Sequence, residues 1–299
     1  MDIQSHMSDS APRPKTKWGQ QRRLEFVEYR LRWDGHINRS DLTNFFGISV
    51  PQASLDLSEY DRLAPGNLDY DASTRTYRCA PSFDPIFESS RVERYLDDLL
   101  KMTVENEVPY GSFLGTYPPV ASVPRPWRHL DLEIVVAVVA AIRSRSALDI
   151  AYQSFSSPEP ATRRVTPHAL AHDGYRWHMR AFCHKNHDFR DFLLSRVLHI
   201  EGTEADRDRQ PDDRAWSTMV DLVLMPHPAL KVAHRKVIEL DFGMVDGECR
   251  LQCRQAMLFY VLHQLGLTEE DRGRSPESQQ ITLKNRIEIA GLLPRTQYR

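Results

Sequence analysis

Cysteine is scarce. Four residues in 299 (Cys79, Cys183, Cys249 and Cys253) are too few and too scattered for a disulfide framework, and they point to a reduced compartment. Cys183 with His187, and Cys249 with Cys253, have metal-ligand spacing, but neither has the second pair that a zinc site needs. Long apolar runs are missing too. The longest, Ile134–Ile142, falls far short of the about 20 residues that span a bilayer. Net charge is only −2, which excludes a uniformly basic coat for nucleic acid, so any such contact must come from local asymmetry. There is no Gly-rich phosphate loop and no Gly-x-Ser-x-Gly elbow, and His168 and His172 lack the acid of a zincin helix. No secretory signal opens the chain. The expectation is a cytoplasmic protein with no cofactor, no metal and no membrane partner.

What is present suits a globular protein of two or three domains, with 41% hydrophobic and 27% charged residues. Residues 1–17 begin with MDIQSHM, which reads as a leader remnant, and continue polar and disordered. Leu24, Val27 and Leu31 have helical spacing, with Gly35 just beyond. Ser40 is read as the N-cap of a short helix burying Leu42, Phe45 and Phe46, which Gly47 ends. Ser49 caps the next helix, Pro51 sits in its first turn, and Ala53, Leu57 and Tyr60 share a face. A hairpin follows in NLDYDASTRTYRC, with Asp71–Thr74 as its turn. This is the order of a winged helix-turn-helix, assigned to 18–82. The helix after Ser49 offers Gln52, Ser54, Ser58 and Arg62 to DNA bases, and Leu55 to a thymine methyl. Arg39, Ser40 and Ser49 lie at neighbouring helix starts, and Arg75 in the hairpin can reach the minor groove or phosphates. From Arg13 to Arg39 eight Lys/Arg face three acids, a local excess that fits backbone contact. The alternative is a structural three-helix domain with a solvated face.

Residues 83–143 read as a helical linker region. RVERYLDDLLKM is helical, VPYGSFLGTYPPVASVPRPW is a surface linker, and HLDLEIVVAVVAAIRSR is an apolar helix buried between domains. From Leu148 to Ile200, within a domain assigned to 144–205, the period changes to two. Four strands are expected, at Leu148–Phe155, Arg163–Leu170, Tyr175–Cys183 and Phe189–Ile200. Mixed charge marks a boundary near 205–214. Residues 215–299 read as a small α+β unit: strand Val220–Met225, helix Ala229–Val237, strands Glu239–Phe242 and Cys249–Arg254, and helix Ala256–Leu265.

The segments IAYQS (150–154), RRVTPHAL (163–170), YRWHMRAFC (175–183) and RDFLLSRV (190–197) resemble the WYL domain, a small Sm-like or SH3-like barrel of bacterial transcriptional regulators. With SVPQASLDLSEYDRL, LDYDASTRTYRC and FDPIF nearer the start, the chain is most similar to the BrxR/CapW repressors of anti-phage defence operons. The implied fold class is α+β multidomain: winged helix-turn-helix, central barrel, and a C-terminal dimerisation domain. The resemblance also implies a regulatory pocket at Tyr152, Ser154, His168, His178, Arg190 and Arg196. The tripeptide that names the domain reads Trp177-His178-Met179 here, so an imidazole stands for the phenol. Cationic forks beside aromatic faces suit a nucleotide or a single-stranded nucleic acid. The expected protein is a homodimeric repressor on an inverted-repeat operator, released by such an effector and without enzymatic activity. An activator of the same layout, a nucleotide-processing enzyme using His168, His178 or His187, and a protein-docking sensor are the alternatives. Trp177 and Phe192 are expected in the core. Arg176 and Arg180 are expected to be solvated, and Asp188 or Asp191 to pair with a neighbouring Arg.

Overall fold

Leu24, Val27 and Leu31 are fully buried, and they make Trp18–Asp34 (α1) the helix around which the first unit packs. The computed structural model describes residues 18–105, 111–124, 126, 128–205, 211–269, 271 and 273–293. The leader 1–17 and part of the 205–214 boundary lie outside them. The chain divides into two compact units, residues 1–126 and 127–299.

In the first unit, α1 is followed by His36–Ile37 (β1), Arg39–Phe46 (α2), Val50–Leu63 (α3), Leu68–Asp71 (β2), Thr76–Cys79 (β3) and Val92–Glu105 (α4). Asn38, not Ser40, caps α2. Its side chain accepts from Asp41 N at 3.1 Å while Asp41 Oδ2 accepts from Asn38 N at 2.8 Å, a reciprocal capping box. Ser40 lies one residue inside the helix, where its hydroxyl donates to Asn38 Oδ1. Gly47 ends α2 at φ 65°, a left-handed turn that glycine adopts without strain. Ser49 then caps α3. Ala53, Leu57 and Tyr60 are buried under α1 as their spacing requires, each large side chain contributing about 2 kcal/mol. The antiparallel sheet runs β1-β3-β2, with Leu68 opposite Cys79 and Asp71 opposite Thr76.

The second unit begins with Leu132–Ser144 (α5). Then come Ser146–Tyr152 (β4), Ala161–His172 (β5), Trp177–Cys183 (β6), Asp188–Leu193 (β7) and Val197–Ala205 (β8). A 3-10 turn at Leu194–Arg196 breaks the expected fourth strand in two, so the sheet has five strands, ordered β7-β6-β5-β4-β8. Among the described residues no pairing of β7 with β8 closes it. Ile134, Val138 and Ala141 of α5 cover one face, against Leu148, Ile150, Val165, Met179 and Phe192. The helix is not buried all round: Leu132 and Val136 are exposed.

The chain continues through Arg214–Ser217 (α6), Met219–Pro226 (β9), Val232–Asp241 (α7), Cys249–Arg254 (β10), Leu258–Gln264 (α8), Pro276–Gln279 (α9), Ile281–Leu283 (β11) and Arg286–Ile289 (α10). The strand expected over Glu239–Phe242 is instead the end of α7. Ile238 is buried on that helix, and the Phe242 amide still donates to Ile238 O. A β-branched pair, Val237-Ile238, mimics a strand locally, but the i to i+4 bonds continue to Phe242, and Gly243 follows at φ 56°. The last sheet is antiparallel, β10-β9-β11. Its third strand, β11, is only three residues long and shows no periodicity to detect.

Candidate nucleic-acid interface and sensing face

The outward side of α3 carries Pro51, Leu55, Ser58 and Arg62, all exposed. Ser49 is exposed at its start, with its hydroxyl on Gln52 N at 3.4 Å. Most of the remaining expected DNA contacts are tied into the unit. Arg39 donates from Nε to Ser54 Oγ at 2.8 Å and from Nη2 to Tyr77 OH at 3.0 Å, so one guanidinium joins α2, the recognition helix and the wing. Gln52 donates to Asp56 Oδ1 at 3.1 Å, and Arg23 of α1 grips the same carboxylate at 2.6 and 3.1 Å. Arg62 forks onto Glu59 at 2.7 and 2.8 Å, and its hydrogen bond holds the Glu59 carboxyl below its usual value. Arg75 is exposed in the wing turn at φ 54°, while Asp71 Oδ1 receives the Ser73 and Thr74 amides. The basic excess before Arg39 is thus partly internal: Arg23 holds Asp56, and Arg30 pairs with Asp34 and Asp41.

Behind α3 lies a group that composition does not reveal. Glu28 is fully buried and accepts four hydrogen bonds: Tyr60 OH at 3.1 Å, Ile86 N at 2.7 Å, Phe87 N at 2.8 Å and Ser90 Oγ at 2.8 Å. Burial pushes its carboxyl upward, and these donors oppose the shift. Its one sequence signal is a charge four residues after Leu24, on the apolar face of α1. Asn67 Nδ2 extends the group, donating to Tyr60 OH and to Asp84 O.

In the five-stranded sheet, residues directly opposite each other share a face. Arg190 lies opposite Ala181, on the face that α5 covers. Its Nε is buried without a hydrogen-bond partner among the described residues. Tyr152 packs its ring edge-on to Phe192 at 5.2 Å, and its hydroxyl accepts from Leu193 N at 3.2 Å. Burial raises the Tyr152 phenol, and the Leu193 amide and the positive charge of Arg196 oppose it. The Arg196 guanidinium lies 5.8 Å from the ring of Phe155, which is 85% exposed. Ser154 is near in sequence and bonds Ser156 Oγ at 2.9 Å. Among the described residues neither Arg190 nor Arg196 forms an ion pair. Tyr152, Arg196 and Phe155 therefore gather a cation, a hydroxyl and an open ring.

His168 and His178 lie on the opposite face. His168 Nε2 bonds Asp213 Oδ2 at 3.0 Å. The same carboxylate receives Arg180 Nε at 2.7 Å and Nη2 at 3.2 Å, and it caps α6 through Trp216 N. Arg180 is 7% exposed and also reaches Asp191 Oδ1 at 3.3 Å, so the expectation of a solvated arginine fails: two carboxylates replace its water. Tyr260 OH donates to the other oxygen of Asp191 at 3.1 Å. His178 is buried, with Nε2 on Asp173 Oδ2 at 2.9 Å and its ring 5.0 Å from that of Tyr260. A carboxylate only accepts, so Nε2 carries the proton and Nδ1 is left as a buried bare acceptor. Burial lowers the imidazole, and Asp173 resists. Arg176, also expected in solvent, is half-buried on Asp173 at 2.7 Å. Trp177 was expected in the core but is 45% exposed, because it starts β6 at the open end of the sheet and leans on His172 at 4.8 Å. Phe192 is buried as expected. Among the described residues no three His, Cys, Asp or Glu gather as a metal site.

Three regions of the chain match family models. Residues 19–101 match the BrxR transcriptional regulator winged helix-turn-helix domain, 133–201 the WYL domain, and 219–289 the BrxR transcriptional regulator C-terminal dimerization domain. Over 281 residues the chain is 53% identical to a protein of Escherichia coli (strain KTE188) named DNA-binding transcriptional repressor CapW, covering 94% of each. A CapW of Pseudomonas aeruginosa is 53% identical over 297 residues, covering 98% of this chain and 99% of that protein. The chain belongs to the BrxR/CapW family of WYL-domain transcriptional regulators. A CapW of Stenotrophomonas maltophilia is 43% identical over 282 residues, covering 94% of each. Among solved structures, the proteasome accessory factor B/C (PafBC) of Arthrobacter aurescens aligns at a TM-score of 0.28 and 15% identity. The alignment covers 92% of this chain but only 46% of that one. The match to the winged helix-turn-helix domain runs past the hairpin into α4.

Proposed function

We propose that this chain is a DNA-binding transcriptional repressor acting as a homodimer on an inverted-repeat operator. The observation that carries the reading is near-full-length 53% identity to proteins named DNA-binding transcriptional repressor CapW, joined to a helix-turn-helix whose third helix exposes Leu55, Ser58 and Arg62. Two-fold protein symmetry asks for a palindromic site. The division at 18–82, 83–143, 144–205 and 215–299 belongs to this proposal, as does action in the cytoplasm on nucleoid DNA. Among the described residues no helix is long and apolar enough to cross a membrane.

The effector in this reading is a nucleotide or single-stranded nucleic acid that binds the WYL domain and releases DNA. Its phosphate lies on Arg196 with Tyr152 and Ser154 beside it, Arg190 supplies a second cation, and a base stacks on Phe155. His168 and His178 then shape the sheet from behind instead of touching the effector. The five strands correspond to an opened Sm/SH3-like barrel, with curvature supplied by the register shifts between β4 and β8. Release requires that the effector prefer a conformation whose two recognition helices no longer fit the operator.

The test is a titration of the purified protein against its own upstream promoter DNA and against random duplex, across salt concentrations. A preference of about a thousandfold is expected. Equal affinity for both DNAs overturns the repressor reading.

A further inference from the structure

An amide side chain can read adenine only if it is presented the right way round, because its oxygen must accept from N6 and its nitrogen must donate to N7. A freely rotating glutamine pays rotamer entropy to do so. Gln52 is not free. It is the third residue of α3, half-buried, and its Nε2 donates to Asp56 Oδ1 at 3.1 Å. Nitrogen and oxygen of an amide are distinguished by their partners. Here the partner is a carboxylate, which accepts and never donates, so the nitrogen must face Asp56. That nitrogen has a second hydrogen. With one hydrogen on Asp56, the other hydrogen and the carbonyl oxygen remain for a ligand, and together they are the pair adenine requires.

The orienting carboxylate is itself fixed. Asp56 is completely buried, and Arg23 of α1 holds both its oxygens, Nε at 2.6 Å and Nη2 at 3.1 Å. Arg23 Nη1 is tied back to Gly19 O at 3.1 Å. A two-point grip prevents Asp56 from rotating, so the order in Arg23 passes to Gln52. Ser54 is held as well, by Arg39 Nε at 2.8 Å, but its hydroxyl cannot offer the paired donor and acceptor of an amide; Ser58 and Arg62 are exposed, and Arg62 rests on its surface neighbour Glu59. A side chain held before DNA arrives reads a base more selectively than one that must be ordered on binding.

We infer that Gln52 is the adenine-specifying residue of the recognition helix and that Asp56, held by Arg23, is the positioning residue that sets its amide. The inference rests on the DNA-binding reading given above. Its test begins with a duplex that the wild-type protein selects from a random-sequence pool. Each adenine in that duplex is replaced in turn by 7-deazaadenine, which lacks the N7 acceptor. One adenine per half-site should show about a tenfold loss for the wild-type protein. Gln52→Ala should bind the two duplexes equally. Asp56→Asn should lose the same discrimination while its salt dependence, which counts phosphate contacts, stays as in wild-type. If Asp56→Asn fails to fold, Arg23→Lys serves instead: it keeps the charge but cannot grip both oxygens, and discrimination should fall. If no duplex is selected over random DNA, the DNA-binding reading fails and the inference with it. If a duplex is selected but Gln52→Ala still discriminates, or no adenine responds, the inference alone is overturned. Full discrimination in both Asp56→Asn and Arg23→Lys removes the positioning role.

Discussion

Asp213 holds Arg180 in a two-pronged grip, Oδ2 on Nε at 2.7 Å and Oδ1 on Nη2 at 3.2 Å, and the same Oδ2 takes His168 Nε2 at 3.0 Å. Both partners of the grip are less than a tenth exposed. The carboxylate therefore ties α6 to the outer face of the five-stranded sheet, and Trp216 follows, edge-on to His168 and beneath Arg254 at 4.8 Å. Burial alone would raise the Asp213 carboxyl, but the hydrogen bonds from His168 and Arg180 outweigh it and hold the group well below its ordinary 3.8. A carboxyl depressed by folding contributes stability that is complete above the ordinary value and is lost as pH falls below it toward the folded value. Asp213→Asn should cost about 3 kcal/mol at neutral pH, the scale of a broken buried pair. The deficit should shrink once pH drops below 3.8. Thermal unfolding of both proteins across pH checks this. A deficit that stays constant into acid would mean that the asparagine fails by packing and not by charge.

Glu28 gives a second prediction. All four of its partners are donors, two on each oxygen, so the site accepts only an acceptor. Glu28→Gln has almost the same shape but turns an NH2 toward a backbone N–H that cannot accept from it, whichever way the amide is placed. The expected loss is about 3 kcal/mol, from buried donors left unsatisfied. Ser90→Ala removes one donor only and should cost about 1 kcal/mol. Chemical denaturation of the two variants, with the m-value confirmed unchanged, separates these outcomes. Equal losses would show that the four bonds do not act as a set.

How much of this was readable beforehand depended on sequence distance. The Gly47 turn, the Ser49 cap and the buried face of Ala53, Leu57 and Tyr60 are local patterns, and each is found where spacing places it. The Asn38 cap was missed because Ser40 is also a good capping residue, and only the reciprocal bond with Asp41 decides between them. The polar networks were not legible. Arg180 meets Asp213 across 33 residues and Glu28 meets Ser90 across 62, and no period links such positions. This is also why His168 and Arg190 looked like one site. Both are polar residues on strands of one sheet, but the irregularity in register between Pro167 and Ala169 marks where His168 departs from simple alternation. Trp177 misled for a related reason: alternation places it on the covered face, but the cover ends before it.

Arg62 tests the proposed DNA face without involving the fold. Its guanidinium is exposed and held only by Glu59 three residues away, an ion pair of the kind that contributes little. Arg62→Ala should leave thermal unfolding and dimer mass unchanged. It should weaken promoter binding and, if the side chain meets a phosphate, lower the slope of log affinity against log salt by about 1. Unchanged affinity at every salt concentration would place Arg62 off the DNA.

Arg196 separates sensing from DNA binding. Its guanidinium lies by the exposed Phe155 ring, and its charge lowers the Tyr152 phenol, so removing it takes the main cation from the proposed anion site. The neighbouring core should survive, because Tyr152 keeps its hydrogen bond from Leu193 N and its contact with Phe192. Arg196→Ala should therefore bind promoter DNA as tightly as wild-type. The probes are a short single-stranded oligonucleotide and a nucleoside monophosphate, added to preformed complexes while DNA release is followed by fluorescence anisotropy. Wild-type should release DNA at concentrations where Arg196→Ala does not, a shift of at least about tenfold for one lost charge-assisted bond. Phe155→Ala should give a smaller shift with the oligonucleotide and none with inorganic phosphate, since only a base can stack. If wild-type and Arg196→Ala respond alike, the effector does not sit on this face of the sheet.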